Sequence, residues 1–329
     1  MLGLGRYSLV LALAAVFATG CGGVQGTATG ALPASNTHAK APDRARALGN
    51  AINGDDLYVV DAWNQKAYAY SYPSGKLVGQ LTGLTESVTG VCADKNGDVF
   101  VTEEGNTGKD HGSYIAEFAH GATAPSALLK DAYWPESCSV DPTTGNLAAV
   151  NWIKNGVAIY TNAQGNPTYV PTGGQMDWVT YDGSGDLFVS ANSNSSHDSL
   201  EELSYGSSSF AKLPLNEPIR LGALQWEDGD LVTSAPSTSR MTLDLYSIQV
   251  SGSKGSVVGT TVLDELAKFK TGHGEGQTLI LNNSVLAPGT PGGNVQSWPY
   301  PAGGKVKKTV VRHVAPWGIA ISVSSSKRY

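Results

Sequence analysis

One short pattern, a turn followed by a hydrophobic strand, recurs through most of this 329-residue sequence. Its copies are GDDLYVVD at 54–61, GDVFVTE at 97–103, GNLAAVN at 145–151, GDLFVSA at 185–191, GDLVTSA at 229–235 and, more weakly, GQTLILN at 276–282. The first apolar residues of successive copies are 40 to 48 residues apart. Self-similarity at this period is typical of propellers and solenoids, so the chain is predicted to be a repeat protein.

The content of each unit favours the propeller. A further strand often precedes the turn, as in VTGVCAD at 88–94, and two more follow the marker strand, as in KAYAYSY at 66–72 and KLVGQL at 76–81. Four strands separated by turn residues make one propeller blade. A helical solenoid would instead place apolar residues at a spacing of 3.6, and that pattern is absent over most of the chain.

The two ends of the repeat region predict a closed ring. The first unit begins at residue 54 without an inner strand, and the chain finishes with an inner-type strand, APWGIAISV, at 315–323. Joining these ends completes a blade and removes the exposed sheet edges that promote aggregation. The predicted fold is therefore all-β: a six-bladed propeller of four-stranded antiparallel blades, in which the C-terminal strand completes the first blade.

Two segments, GVCADKNGDVFVTE at 90–103 and SCSVDPTTGNLAAVN at 137–151, resemble the repeat of NHL-repeat and gluconolactonase-like six-bladed propellers. The resemblance covers residues 51 to about 325. It implies the propeller fold, and for the gluconolactonase type it implies a divalent metal held in the central channel by Glu, Asn and Asp ligands. One fold hosts many activities, so the resemblance predicts architecture better than function.

Composition narrows the classes of partner. The formal net charge is -6, which argues against nucleic-acid binding, because that function needs a basic face. The 40 glycines suit many tight turns that require positive φ angles. We predict a monomer.

The N-terminus predicts export. Arg6 precedes an apolar run from Leu9 to Phe17, too short to span a bilayer, and small residues then lead to Cys21. This arrangement resembles a bacterial lipoprotein signal with Cys21 as the lipidated residue, although Ala18 stands where that motif usually has Leu. The predicted domains are a signal peptide at 1–20, a flexible tether at 21–50 and the propeller at 51–329. The protein is expected at a periplasmic or cell-surface location, anchored to the membrane by its lipid alone. Ordinary cleavage and secretion of a soluble protein is the alternative.

Strand direction predicts where a binding site lies. Strands of a blade alternate in direction, so the loop entering strand one and the loop joining strands two and three share one end of the propeller, which we call the mouth. Five of the seven tryptophans map there, accompanied by carboxylates at strand entrances. The candidate mouth residues are Trp63, Glu86, Trp134, Glu136, Trp152, Asp177, Trp178 and Trp317. Asp61, Glu103 and Glu104 follow marker strands near the same end.

These residue types fit a small ligand, a glycan or a peptide, because aromatic planes pair with apolar faces and with cations. The alternative is that the large side chains plug the axis or pack between blades. For the Gly-Asp turns at the other end, we expect Asp94, Asp141 and Asp182 to accept backbone hydrogen bonds within the turn.

A catalytic function is the less favoured hypothesis. Glu86, Glu136 and Asp177 are hard oxygen ligands that suit Ca²⁺ or Mg²⁺. However, the Pro-Asp-Gly segment of gluconolactonase-like proteins is absent, the Asn ligand cannot be assigned, and no hydrolase, zinc or phosphate-loop motif is present. We therefore assign no catalytic residue and no cofactor, and a divalent metal such as Ca²⁺ in the channel is the alternative.

The remaining cysteines, Cys92 and Cys138, lie in the inner strands of consecutive blades. Alignment of the turns puts them one position apart, on opposite strand faces, and such faces of adjacent blades point toward each other. An oxidising compartment favours a structural disulfide between them, and two buried thiols are the alternative.

Two functions follow. The first is an exported, lipid-anchored propeller that binds a ligand or a protein at its mouth. The second is a metal-dependent hydrolase or lactonase of the gluconolactonase type.

Overall fold

A computed structural model of the chain describes residues 54–61, 64–84, 87–105, 112–131, 133–191, 199–237, 242–264, 276–289 and 293–324. The predicted signal peptide at 1–20, the tether at 21–50 and the predicted lipidation site, Cys21, lie outside these residues. None of the helical structure within the described ranges has the length and apolar character needed to cross a bilayer.

The first three blades occupy roughly the first half of the described chain. Blade 1 contains β1 (Asp56–Asp61), β2 (Lys66–Ser71) and β3 (Lys76–Gln80). Blade 2 contains β4 (Ser87–Ala93), β5 (Val99–Glu104), β6 (Ser113–Phe118) and β7 (Ala127–Asp131). Blade 3 contains β8 (Pro135–Val140), β9 (Leu147–Asn151), β10 (Gly156–Tyr160) and β11 (Thr168–Pro171). A 3-10 turn, Thr161–Ala163, follows β10.

The other three blades repeat this antiparallel order. Blade 4 contains β12 (Trp178–Tyr181), β13 (Leu187–Ala191), β14 (Ser199–Leu203) and β15 (Ala211–Lys212). Blade 5 contains β16 (Leu224–Glu227), β17 (Asp230–Ser237), β18 (Thr242–Ser251) and β19 (Lys254–Leu263). Blade 6 contains β20 (Leu279–Leu281), β21 (Ser284–Gly289), β22 (Asn294–Pro299) and β23 (Lys308–Arg312), and the last strand is β24 (Pro316–Ser322).

The ring closes as predicted. β24 is the inner strand of blade 1, where the strand order is β24-β1-β2-β3. It runs antiparallel to β1, with Leu57 opposite Ile321 and Val59 opposite Ile319. The protein is therefore an all-β, six-bladed propeller in which the C-terminal strand completes the first blade.

The described residues form six hydrophobic core clusters, one between each pair of adjacent blades. Successive residues of a strand point to opposite faces and so enter different clusters. In β1, Tyr58 and Val60 pack toward blade 2, whereas Leu57 and Val59 pack toward blade 6. This explains why the marker strands are apolar on both faces, because each is covered by a blade on either side.

The Gly-Asp turns are scaffold, as predicted. Oδ1 of Asp94 accepts hydrogen bonds from the backbone N–H groups of Asn96 and Asp98, both at 2.8 Å. Asp141 and Asp182 accept equivalent bonds in the next two blades. The glycine of the Asp94 turn, Gly97, has a φ of 79°, a conformation that favours glycine.

The prediction for the sixth unit was wrong in its register. Leu279, chosen as the marker of a second strand, lies in the inner strand β20, and the second strand is β21. The turn between them is made by Asn282 and Asn283, and Asn282 takes the left-handed φ of 52°. Asparagine tolerates this conformation, so the turn forms without the Gly-Asp signal on which the repeat was recognised.

Candidate functional site

Side-chain hydroxyl groups link inner strands of neighbouring blades at the mouth. The Thr89 hydroxyl in β4 donates to the carbonyl oxygen of Pro135 at 2.6 Å. The Ser137 hydroxyl in β8 donates to the carbonyl oxygen of Asp177 at 2.8 Å. These bonds hold successive inner strands at fixed spacing around the axis, so the mouth of blades 2 to 4 is a preorganised surface.

Irregular pairing at the mouth ends of β8 and β24 redirects two of the predicted site residues. The register between β8 and β9 shifts between Pro135 and Cys138, and this shift leaves Glu136 outside the ladder. In blade 1, Val60 pairs with Gly318 and Asp61 with Pro316, so Trp317 is the bulged residue. Bulges re-aim side chains and are common beside binding and catalytic sites.

Glu136 and Trp317 meet through a hydrogen bond. The side chain of Trp317 donates to the Glu136 carboxylate, and its indole N–H is the only donor it has. Burial, followed by the neighbouring Glu104 and Asp177 carboxylates, raises the pKa of Glu136 to about 7, while the Trp317 bond opposes that rise. Burial likewise raises the pKa of Glu104, against a hydrogen bond from the Ser87 side chain. We call Glu104, Glu136, Asp177 and Trp317 the mouth centre.

Trp178 serves as the wall behind the mouth centre. Its ring lies 6.4 Å from that of Trp317, at an angle of 32°. It is only 6% exposed and belongs to the cluster between blades 4 and 5. A ligand in the mouth would therefore contact Trp317, which is partly exposed, rather than Trp178.

Trp134 and Trp152 form a second feature, which we call the rim pair. Their rings are stacked, with centroids 6.1 Å apart and an angle of 8°. The backbone N–H of Trp152 donates to the carbonyl oxygen of Trp134 at 3.0 Å, which holds the β9–β10 loop against the entrance to β8. Trp152 is 43% exposed, and the next residue, Ile153, is 52% exposed. The hairpin thus brings the two tryptophans together at one end of blade 3.

A buried aspartate that no sequence pattern predicted supports the rim. Asp131, at the end of the outer strand β7, accepts hydrogen bonds from the hydroxyls of Tyr160 at 2.8 Å and Tyr169 at 3.1 Å, and from the backbone N–H of Tyr133 at 2.9 Å. Burial raises its pKa, and these bonds act in the opposite direction. The Nζ atom of Lys154 lies 5.0 Å from the centroid of the Tyr133 ring. Asp131, in blade 2, therefore holds the tyrosines of blade 3, Tyr160 and Tyr169, and the backbone of Tyr133 beside the rim pair.

Two other acidic residues near the mouth, Asp61 and Glu103, are buried in the fold. Asp61 is fully buried and accepts two hydrogen bonds from Asn64, and Glu103 is 1% exposed. Trp63 and Glu86, both predicted mouth residues, lie outside the described residues. Within the described ranges, no group of three or more His, Cys, Asp or Glu side chains is arranged to hold a metal ion.

Cys92 and Cys138 are joined by a disulfide, with Cα atoms 5.6 Å apart. Both lie in the hydrophobic cluster between blades 2 and 3. The disulfide is buried and links the inner strands β4 and β8, so its role is structural.

Comparisons with known proteins address the fold. No protein-family model and no curated protein matches this sequence. Among solved structures, a chain of the nidogen/laminin complex is similar with a TM-score of 0.61 and 12% identity, over 82% of this chain and 99% of that one. A protein of unknown function from Bacteroides caccae reaches a TM-score of 0.57 at 12% identity, with the same coverage of both chains. A functionally unknown protein from Desulfotomaculum acetoxidans reaches 0.56 at 14% identity, also with the same coverage. At such low identity these likenesses establish the propeller fold alone.

Proposed function

We propose that this protein is an exported, lipid-anchored propeller that binds a protein partner at its mouth. The observation that carries the proposal is the rim pair, in which exposed Trp152 stacks on partly exposed Trp134, two residues before Glu136 at the entrance to β8. Tryptophan is enriched among the residues that dominate protein interfaces, because it combines a large contact area with little conformational entropy to lose.

The mouth centre favours a positively charged group on the partner. The groups that influence the pKa of Glu136 are two carboxylates and one indole N–H. A lysine or arginine side chain inserted there would be attracted to Glu136 and could lie against the face of Trp317. An anionic ligand would meet like charge.

The fold of the nidogen/laminin chain supports a protein partner, because that propeller is found in a protein complex. We also propose that the chain is one of the NHL-repeat and gluconolactonase-like propellers, because residues 90–103 and 137–151 resemble their repeat. The apolar run before Cys21 supports export and anchoring at a periplasmic or cell-surface location.

The test is a selection of random peptides on the full chain, followed by affinity measurements with the enriched peptides. We expect enrichment of peptides that combine lysine or arginine with an apolar residue. Trp152→Ala should weaken their binding at least about tenfold, as expected for an interface hot spot. Trp226→Phe, at the opposite end of the propeller, is the control and should leave affinity unchanged.

Two results would contradict the proposal. One is peptide binding that Trp152→Ala and Glu136→Gln leave intact. The other is a rise in melting temperature with Ca²⁺, Mn²⁺ or Zn²⁺ that Glu136→Gln abolishes, since that result would favour a metal-dependent hydrolase.

A further inference from the structure

A second concave site lies at the end of the propeller opposite the mouth, between blades 4 and 5. It is a crevice of about 470 Å³. Its walls come from the β12–β13 turn, the end of β14, the outer strand β15, the end of β16 and the β18–β19 turn. A volume of this size falls within the range of small-molecule sites.

The apolar part of the crevice is an aromatic pair. The rings of Phe188 and Trp226 stack with centroids 5.7 Å apart and an angle of 11°. Phe188 is 1% exposed, whereas Trp226 is partly exposed, so the indole is the ring that a ligand would contact. Within the described residues, the Trp226 indole N–H has no hydrogen-bond acceptor, so the ring offers both a flat surface and a donor.

The polar part consists of three carboxylates, each held by one oxygen. Oδ1 of Asp182 accepts the backbone N–H of Asp186 at 2.8 Å, and Oδ1 of Asp186 accepts the backbone N–H of Tyr205 at 2.6 Å. Oε1 of Glu202 accepts the hydroxyl of Ser204 at 3.0 Å. The second oxygen of each carboxylate has no hydrogen bond to the described part of the chain. Each of these groups therefore keeps an oxygen that can accept a hydrogen bond from a ligand.

Lys212 supplies a donor among these acceptors. It is exposed on the outer strand β15 and forms no ion pair within the described residues. Tyr205, the residue after the lining residue Ser204 in the chain, is 68% exposed. Three carboxylates against one ammonium group make the site acidic, which disfavours phosphates and other anions.

We propose that this crevice is a saccharide-binding site for a neutral or amino sugar. The apolar face of a pyranose ring lies against Trp226, and its hydroxyls donate to the free oxygens of Asp186 and Glu202 and accept from Lys212. A flat aromatic surface bordered by carboxylate acceptors and one ammonium donor suits a ring whose faces are apolar and whose edge is lined with hydroxyls. The site is separate from the mouth and does not depend on the proposed protein partner.

The experiment is saturation-transfer NMR on the full chain with methyl glycosides of glucose, galactose and N-acetylglucosamine, and with glucosamine, at millimolar concentration. We expect transfer to ring protons of at least one of these sugars. Trp226→Ala should abolish it, and Glu202→Gln should weaken the affinity about tenfold. The Glu202 variant keeps the side-chain shape and tests the site even if Trp226→Ala disturbs the packing of blade 5. The mouth variant Trp152→Ala should bind the sugar like the unaltered protein.

Three outcomes would overturn the proposal. The first is that none of the four sugars gives a transfer signal. The second is that binding survives in both Trp226→Ala and Glu202→Gln, or is lost in Trp152→Ala, which would place the sugar at the mouth. The third is that methylamine binds at the crevice and the neutral sugars do not, which would make the crevice a cation site.

Discussion

At the scale of single residues, Glu136 and Asp56 are two carboxyl groups whose raised pKa values make binding and stability depend on pH. Glu136 lies in the mouth centre, and Asp56 begins β1 at the opposite end. Asp56 is fully buried, and neither of its carboxylate oxygens has a hydrogen-bond partner among the described residues. The first group is placed where charge can be used in binding, and the second is placed where charge destabilises the fold.

Ionisation of Glu136 should make peptide binding depend on pH. Because burial and two neighbouring carboxylates raise its pKa to about 7, the group is largely neutral at pH 6 and largely ionised at pH 8. The affinity for a positively charged peptide should therefore increase about tenfold over this interval, following the ionised fraction of one group. Isothermal titration at the two pH values measures the change. Glu136→Gln should bind more weakly with little pH dependence, and an equally steep profile in that variant would refute this role.

Ionisation of Asp56 should lower the stability of the fold. Burial, followed by Asp55, raises the pKa of Asp56 from 3.8 to about 6. A raised carboxyl pKa means that the folded state favours the neutral form of Asp56. The protein therefore has its full stability below pH 3.8, and ionisation of Asp56 lowers the free energy of unfolding as pH rises through 6. Asp56→Asn should increase the free energy of unfolding by about 1 to 3 kcal/mol at pH 8 and have little effect at pH 3.5. Urea unfolding at both pH values decides this, and a variant that is less stable at pH 8 would contradict it.

At the scale of the element, each blade depends on its turns and on irregularities at the mouth ends of its strands. The turn from β8 to β9 is organised by Asp141, whose carboxylate accepts hydrogen bonds from the backbone N–H and hydroxyl of Thr143 and from the hydroxyl of Thr144. Despite opposing burial, these bonds lower the pKa of Asp141. The ionised carboxylate thus stabilises the hairpin that carries the rim pair.

Asp141→Ala should destabilise the protein by about 1 to 2 kcal/mol at neutral pH, because it leaves the turn donors without an acceptor. Since the folded pKa is below 3.8, the difference should persist above that pH and shrink as pH falls through the folded value. Chemical unfolding at pH 7 and pH 3 measures it. Thr143→Val, which retains the backbone bond, is the matched control and should cost less; equal losses would show that the carboxylate does not organise the turn.

The elements that the sequence predicted are those with local signals. Turn residues before apolar strands predicted the number of blades. The missing inner strand of the first unit and the extra strand at 315–323 predicted ring closure. The register of blade 6 was missed because Asn282 replaces the usual turn signal. The bulge at Glu136 and the contacts of Asp131 with Tyr160 and Tyr169 leave no local trace, since a neighbouring strand or blade determines each of them.

At the scale of the whole molecule, stability and function both depend on a closed ring. The hydrophobic clusters lie between blades, so no blade buries its apolar faces alone. Blade 1 joins the two ends of the described chain, because β24 pairs with β1. It also brings Trp317, near the C-terminus, against Glu136 of blade 3. The mouth centre therefore exists only in the closed ring.

Ending the chain at Ala315 should abolish cooperative folding, because β1 loses its neighbour and the edge of blade 1 becomes exposed. Size-exclusion chromatography and thermal unfolding should show aggregates or a broad, early transition. A chain ending at Ser324, which keeps every described residue, is the control and should behave like the full chain. A compact monomer with an unchanged melting temperature after truncation at Ala315 would contradict the importance of ring closure.

The most direct test of binding at the mouth is oxidative footprinting of the tryptophans with and without a selected peptide. Trp152 is 43% exposed at the mouth, and Trp226 is partly exposed at the opposite end, so the two report on the two faces in one experiment. We expect the peptide to protect Trp152 from oxidation and to leave the oxidation of Trp226 unchanged. Protection of Trp226 without protection of Trp152 would contradict it.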